Sequence, residues 1–299
     1  DMKAGLKKAA SKGDQVESIG VDTWGVDFGL SDRDGQLIGN PVCYRDARTA
    51  GMTEKLFEIL SPAEHYATTG IQVMEINTLS QLYSLKGSAQ LEAAEHLLFM
   101  PDLFSYFLTG KATNEYCIAS TSELLDAKRR DWSWETIEAL GLPKHIFGEI
   151  VMPGTVRGEL RKDIAEETGL GDVKVIAVGS HDTASAVAAV PAIEGDGPVA
   201  FLSSGTWSLL GFELSEPVLT EEARKAEFTN EGGVGGRIRF LQNITGLWIM
   251  QRLMAEWKER GEEQTFAEIL PAADKAQISS IIPVADATFM NPATLAPFT

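Results

Sequence analysis

The chain has 299 residues, of which 44% are hydrophobic, and it carries a formal net charge of −17. This length allows a sizeable core and two domains, whereas the acidic balance disfavours nucleic acid, which needs a basic face. Two cysteines, Cys43 and Cys117, are too few to staple such a fold, and no apolar run approaches a membrane span. We therefore expect a soluble cytoplasmic protein without nucleic-acid or membrane partners.

The first half of the chain is predicted to hold two short strands followed by helices. Residues 3–11 form a basic helical segment, and residues 16–22 and 26–31 are predicted to pair as strands around Thr23, Trp24 and Gly25. Ser61 before Pro62, with Glu64 three positions on, is typical of a capped helix start. Further helices are predicted over 51–60, 78–85, 101–108 and 134–140, with a turn at 32–35 and loops at 131–134 and at Pro143.

The second half opens with a strand that ends in polar residues. Residues 173–178 are apolar and β-branched, Gly179 ends them, and the Ala-rich residues 183–189 predict a helix that begins near Asp182. Asp182 is thus expected at the edge of an α/β sheet where ligands usually bind. The consecutive Ser180, His181 and Asp182 are not a hydrolase triad, because neighbouring side chains point apart.

A second hydroxyl-rich turn follows. Residues 199–202 and 207–212 are predicted to form a hairpin whose tip is Ser203-Ser204-Gly205-Thr206, and such a tip can offer backbone amides to phosphate oxygens. A lone carboxylate and a phosphate cradle suit phosphoryl transfer from a nucleotide to an alcohol.

The remaining features concern the domain organisation of the chain. Pro191 and the run 194–198 interrupt the periodicity and predict a domain boundary. After it come a Gly-rich turn at 232–236 and an amphipathic helix over 246–260, with one apolar stripe formed by Leu247, Met250, Met254 and Trp257. The four histidines are isolated, so no metal site is expected, and the chain has no phosphate-binding P-loop motif.

Several segments together resemble one family. They are GSHDTASA (179–186), SSGTWS (203–208), SIGVDTWGVDF (18–28), YRD (44–46), MPD (100–102), TNEGG (229–233) and NITGLW (243–248). The chain is similar along nearly its whole length to the FGGY carbohydrate kinases. The resemblance implies an α/β fold of the actin/Hsp70/hexokinase-like (ribonuclease H-like) class, with two domains hinged over a cleft and a truncated second domain.

The resemblance assigns roles on the sugar side. It implies that Asp182 is the catalytic base and that His181 binds a sugar hydroxyl. By residue type alone Asp182 is equally a helix N-cap, and a structural histidine is the alternative for His181. It places Gly25 against the sugar, where a side chain would clash, although a plain turn glycine has the same appearance. Arg45 and Asp46 are expected to bind vicinal hydroxyls, with a surface ion pair as the alternative.

The remaining assignments concern the sugar and the nucleotide. The resemblance adds Thr183 and Asn243 to the sugar site and implies that Gly205, Thr206 and Gln251 bind ATP, which brings Mg²⁺. By spacing alone, Asn243 and Gln251 are equally polar surface. The turn at Glu231, Gly232 and Gly233 is not expected to be a site.

The resemblance carried by the segments outside the two main motifs implies that the substrate is L-rhamnulose, phosphorylated on its 1-hydroxyl as in L-rhamnose breakdown. An L-fuculose or xylulose kinase and a non-catalytic sugar-binding protein stay open. We expect a sugar-binding domain over 1–191, lacking the first hairpin of the family, and the first part of a nucleotide-binding domain over 192–299. The chain is accordingly expected to be an internal part of a longer kinase and inactive by itself.

Overall fold

The computed structural model describes residues 1–13, 15–191, 199–281, 284 and 289. The chain divides into two compact units, the first made of Asp1–Val199 and Phe212–Phe240 and the second of Ala200–Gly211 and Leu241–Thr299. The predicted domain boundary after Pro191 stays a prediction, because the run 194–198 lies outside the described residues. Within the part of the chain that the structure describes, every helix is too short or too polar to cross a membrane.

Helices dominate the first unit. The α-helices are α1 (Met2–Ser11), α2 (Met52–Phe57), α3 (Pro62–Thr69), α4 (Thr78–Ser84), α5 (Ala89–Glu92), α6 (Met100–Thr109), α7 (Tyr116–Ala119), α8 (Trp134–Ala139), α9 (Lys162–Thr168), α10 (Asp182–Ala188), α11 (Glu221–Lys225), and in the second unit α12 (Trp248–Glu259) and α13 (Phe266–Lys275). Short 3₁₀ helices cover Ala47–Thr49, Ser120–Ser122, Lys144–Ile146 and Val234–Gly236.

The strands form several small sheets. They are β1 (Ser18–Ile19), β2 (Phe28–Ser31), β3 (His96–Phe99), β4 (Asn114–Glu115), β5 (Leu125–Asp126), β6 (Asp131–Trp132), β7 (Ile150–Val151), β8 (Val156–Glu159), β9 (Lys174–Ile176), β10 (Ala200–Ser204), β11 (Trp207–Leu214), β12 (Phe228–Gly232) and β13 (Ile238–Thr245). In the first unit β9 lies between β1 and β8, and β2 pairs with β3, β4 with β7 and β5 with β6. In the second unit β10 and β11 are neighbours.

The predicted pairing of residues 16–22 with 26–31 is wrong. β1 runs parallel to β9, whereas β2 pairs antiparallel with β3. The alternation of apolar residues indicated strands correctly, but it carries no information about the partner, and both partners lie far along the chain. The turn at Thr23–Val26 therefore connects two different sheets.

Most local predictions are confirmed. The helix starting at Pro62 has Ser61 as its N-cap, whose hydroxyl accepts from the Glu64 amide. The strand β9, the helix α10 and the hairpin of β10 and β11 occur where the sequence predicts them. The loop predicted at 131–134 is partly wrong, because β6 there pairs with β5.

Two cores hold the first unit together. The larger contains side chains of β2, β3, α4 and α7, with Trp132 fully buried among them. The smaller packs Leu108 and Ile164 against Val175 of β9. Since β9 belongs to a packed core, its end at Ile176 is a rigid support for the polar residues that follow.

Candidate functional site

The end of β9 and the turn at Thr23–Val26 lie side by side. The Thr23 amide donates to the Ser180 carbonyl at 3.0 Å, and the Asp182 amide donates to the Thr23 carbonyl at 2.9 Å. This single parallel bridge joins Thr23 to His181. Two segments separated by more than 150 positions in the sequence are thus held at a fixed distance.

Gly25 lies directly against His181. A Cβ added at Gly25 would lie 3.3 Å from His181 Nε2 and 3.4 Å from Thr121 Oγ1. The distance to His181 is tighter than ordinary van der Waals contact, so a side chain here would fill the space beside the imidazole. The neighbouring Trp24 is half exposed, and its indole nitrogen donates to Asp27 at 2.8 Å.

Asp182 is the exposed carboxylate of this site. It is the first residue of α10, while His181 holds the N-cap position, so the alternative of Asp182 as the N-cap is wrong. Its Oδ1 accepts from the Thr183 amide at 2.6 Å and from the Thr183 hydroxyl at 3.2 Å. Because its side chain remains 57% exposed, the carboxylate is oriented by Thr183 and still open to a ligand.

His181 belongs to a buried charged cluster. Its Nδ1 lies 3.3 Å from Glu231 Oε2 and 3.1 Å from Arg239 Nη2, and Arg239 Nη1 lies 3.0 Å from the same Glu231 oxygen. The Nε2 on the opposite edge of the ring lies 3.6 Å from Asp182 Oδ1. Glu231 and Gly232 are buried residues of β12, so the turn expected at these two positions is wrong.

The pKa of Glu231 is held below its ordinary value. Burial by itself raises the pKa of this carboxyl, but the opposing effects, of which the charge of the Arg239 guanidinium is the largest, outweigh burial. Glu231 is therefore ionised at neutral pH and balances the charge of Arg239 in the interior.

The expected pair Arg45 and Asp46 lies on the surface of the first unit. Asp46 caps the short helix Ala47–Thr49 by accepting from the Arg48 amide, and the guanidinium of Arg45 lies over the Tyr44 ring. Neither contact shows a ligand role, so their sugar binding stays a prediction.

A buried carboxylate links this surface segment to the Trp24 turn. Asp27 receives hydrogen bonds from Trp24, from Gln81 and from the Tyr44 backbone. Burial raises the pKa of Asp27, and these donors oppose the rise together with the charge of Arg48. The segment that carries Arg45 is therefore tied to the turn that carries Gly25.

A second buried acid supports the end of β9. Glu115 accepts from the Ser180 amide at 3.0 Å and from the amides of Cys117 and Ile118 at 2.8 and 3.1 Å. Burial raises the pKa of Glu115, and these backbone donors work against the rise. Sequence reasoning missed this residue because Glu is not a typical N-cap. It missed Glu231 because that residue was assigned to a turn, and it missed Arg239 because an isolated charge in a strand is commonly solvent-exposed.

The expected nucleotide residues belong to the second unit. The Gly205 amide donates to the Trp207 carbonyl, which engages it inside the hairpin, whereas Ser204 and Thr206 are exposed. These two exposed residues carry hydroxyls that can donate to phosphate oxygens, which fits a phosphate group. Among the described residues, His, Cys, Asp and Glu do not gather into a set of metal ligands.

The same turn is fixed to the start of α12. The amides of Leu247 and Trp248 donate to the carbonyls of Gly205 and Thr206. A Cβ at Gly246 would lie within 2.8 Å of the Ser208 amide and 2.9 Å of the Gly205 carbonyl. The backbones therefore touch at a position where only glycine fits.

The two remaining expected residues lie on different elements. Asn243 is part of β13, and Gln251 is an exposed residue of α12. The expected sugar-side residues lie in the first unit except Asn243, which belongs to the second unit, as the expected nucleotide residues do. All their assigned roles stay predictions.

Comparison with known families identifies relatives along most of the chain. Residues 2–189 match the N-terminal domain and residues 200–293 the C-terminal domain of the FGGY family of carbohydrate kinases. The rhamnulokinase of Bacteroides thetaiotaomicron is 47% identical over 294 residues, and that of Halalkalibacterium halodurans 39% identical over 297. These alignments cover 97% and 99% of this chain but 59% and 62% of the relatives, so the chain spans about 60% of their length.

Solved structures agree on the fold. A gluconate kinase from Lactobacillus acidophilus superposes with a TM-score of 0.78 at 18% identity, covering 91% of this chain and 55% of that structure. A carbohydrate kinase from Novosphingobium aromaticivorans gives 0.71 at 27% identity, covering 84% of this chain and 55% of that structure. The α/β fold of the actin-like ATPase class, expected from the sequence, is confirmed.

Proposed function

The chain belongs to the FGGY family of carbohydrate kinases, and from this premise we propose that it takes part in ATP-dependent phosphorylation of L-rhamnulose on the 1-hydroxyl. The observation that carries the proposal is the exposed Asp182 carboxylate, oriented by Thr183 beside His181, against which Gly25 lies without a side chain. The choice of sugar is supported by two rhamnulokinases that are 47% and 39% identical to this chain.

In this proposal Asp182 is the catalytic base. Its carboxylate accepts a hydrogen bond from the sugar hydroxyl, orients the oxygen for attack on the γ-phosphate and takes the proton late. A loose phosphoryl-transfer transition state demands little nucleophilic push, so orientation matters more than basicity. Thr183, which donates twice to Oδ1, holds the carboxylate in the required rotamer and leaves its other oxygen for the substrate.

The other expected residues divide between the two substrates. Gly25, Arg45, Asp46, His181, Thr183 and Asn243 are proposed to bind the sugar, and Gly205, Thr206 and Gln251 to bind ATP. The hydroxyl of Thr206 would donate to a phosphate oxygen, because it is exposed at the tip of its hairpin. Mg²⁺ bound with ATP would neutralise phosphate charge. A cytoplasmic location is part of the same proposal.

The experiment uses the complete gene product, with release of ADP measured by a coupled assay. L-rhamnulose is expected to give a higher kcat/KM than L-fuculose or xylulose. Asp182→Asn is expected to lower kcat at least about 100-fold, as for a general base, while the dissociation constant for the sugar changes only a few-fold. Asp172→Asn, an exposed acid of the same unit, is the matched control.

Each alternative function predicts a different result in these assays. Preference for another ketose would reassign the protein within the family, and sugar binding without ADP release would make it a binding protein. An Asp182→Asn variant that keeps more than about a tenth of the wild-type kcat would remove the base assignment.

A further inference from the structure

Arg239 is buried beneath His181 and is an unusual residue for that position. Its side chain is 0% exposed in β13, with Nη2 lying 3.1 Å from His181 Nδ1. Its Nε donates to the Gly232 carbonyl at 2.9 Å, and Glu231 lies 3.0 Å from its Nη1. The guanidinium is thus held from two further sides, which fixes the direction in which Nη2 points.

A guanidinium only donates hydrogen bonds. Because Arg239 Nη2 donates to His181 Nδ1, the Nδ1 atom must carry a lone pair and no proton. A neutral imidazole has one N–H, so the proton must then be on Nε2. The tautomer of His181 is therefore set by a residue on the other side of the ring from the proposed ligand.

The charged groups around the ring must be weighed before this tautomer is assigned. In the part of the chain that the structure describes, the ring is faced by Asp182 at 3.6 Å from Nε2, and by Glu231 at 3.3 Å and Arg239 at 3.1 Å from Nδ1. Glu231 by itself would favour a proton on Nδ1. Its facing oxygen, however, is closer to Arg239 Nη1, at 3.0 Å, and a proton on Nδ1 would point at the guanidinium.

We propose that Arg239, held by Glu231, is a positioning residue that fixes His181 as the neutral Nε2–H tautomer. His181 then only donates towards the space beside Gly25, and Asp182 is left as the acceptor of the pair. For the sugar this rests on the proposed function: His181 would donate to a sugar oxygen and could not compete with Asp182 for the proton of the attacking hydroxyl.

The tautomer is tested directly by ¹⁵N NMR of the histidine side chains in the complete gene product at neutral pH. The His181 signals are identified by their loss in His181→Gln. The expected result is an Nε2 bearing a proton and an Nδ1 with the shift of an unprotonated, hydrogen-bonded nitrogen. A proton on Nδ1, or on both nitrogens, would overturn the proposal. This measurement needs neither sugar nor turnover, so it stands even if the proposed function fails.

Two substitutions test the consequence for the ligand. The amide nitrogen of Gln can replace Nε2, whereas that of Asn lies near the position of Nδ1. His181→Gln is expected to keep KM for the ketose within about threefold, and His181→Asn to raise it about tenfold, the value of one lost hydrogen bond. The reverse order would overturn the donor role.

Two further variants complete the experiment. His145→Gln is the matched control, since His145 contacts the Ala94 carbonyl and is not one of the groups around His181. Arg239→Lys keeps the positive charge but loses the planar guanidinium with its several N–H donors. A new population of His181 with a proton on Nδ1 is therefore expected in its spectrum. A wild-type spectrum in Arg239→Lys would show that Arg239 does not set the tautomer. If the wild-type protein binds no ketose, the proposed function fails, and the NMR spectra alone then test whether Arg239 fixes the tautomer of His181.

Discussion

Replacing Glu115 with Gln removes one oxygen from a carboxylate that three backbone amides share. Oε1 accepts from Cys117, and Oε2 accepts from both Ile118 and Ser180. A carboxamide has one oxygen, and its NH₂ group cannot accept. The Gln side chain is expected to place its oxygen at the Oε2 position, because this keeps two bonds and sacrifices only the bond from Cys117.

The expected loss of stability is about 2 kcal/mol. The abandoned Cys117 amide is buried, and a buried donor without a partner costs about 1–3 kcal/mol. The two bonds that remain lose their charge assistance, roughly 1 kcal/mol each. Part of this is offset because burial, which raises the pKa of Glu115, penalises the carboxylate and not the neutral amide.

The assay is urea unfolding of the complete gene product followed by fluorescence, to which the buried Trp132 of the same core contributes. Hydrogen exchange adds a residue-level readout, in which the Cys117 amide is expected to lose protection before the Ser180 amide does. Glu166→Gln, at an exposed position of α9, is the matched control. A loss below about 0.5 kcal/mol, the usual range of a surface substitution, would show that Glu115 does not hold the end of β9.

The other predictions concern the sugar, the acid limit and the nucleotide turn. Alanine at Arg45 or Asp46 is expected to raise KM for the ketose; unchanged KM in both variants would leave them as surface residues. The free energy of unfolding of the wild type is expected to fall below pH 4.5, the ordinary pKa of a Glu carboxyl, as Glu231 takes up a proton. Glu231→Gln is expected to make this fall less steep, by at most about 1.4 kcal/mol per pH unit. The sign follows from the lowered pKa of Glu231, since its stabilisation is present at neutral pH and lost as the pH falls through that pKa. Gly246→Ala is expected to cost about 1–3 kcal/mol by overpacking against Ser208 and to weaken ATP binding measured by calorimetry; an unchanged affinity would separate this contact from the nucleotide site. The 299 residues alone are expected to release no measurable ADP from Mg-ATP and rhamnulose, and turnover of about 1–100 s⁻¹ would contradict this.

The sequence by itself determined the local structure of this protein. The cap at Ser61, the strand β9, the helix that begins at Asp182 and the hairpin around Gly205 all follow from short-range rules of periodicity, capping and turn chemistry. Those rules act between residues a few positions apart, so the same residues produce the same element in most surroundings. The family motifs added the roles of Asp182 and Thr206, which remain proposals.

Only the tertiary structure decided which segments meet. Strand alternation predicted β1 and β2 but paired them with each other, whereas their partners are β9 and β3. It also could not reveal that Glu115 and Arg239 are buried beneath the site, since no local pattern distinguishes a buried charge from an exposed one. The physical reason is that burial and pairing are set by contacts between distant positions, and the penalty for burying a charge depends on the partner that folding brings to it.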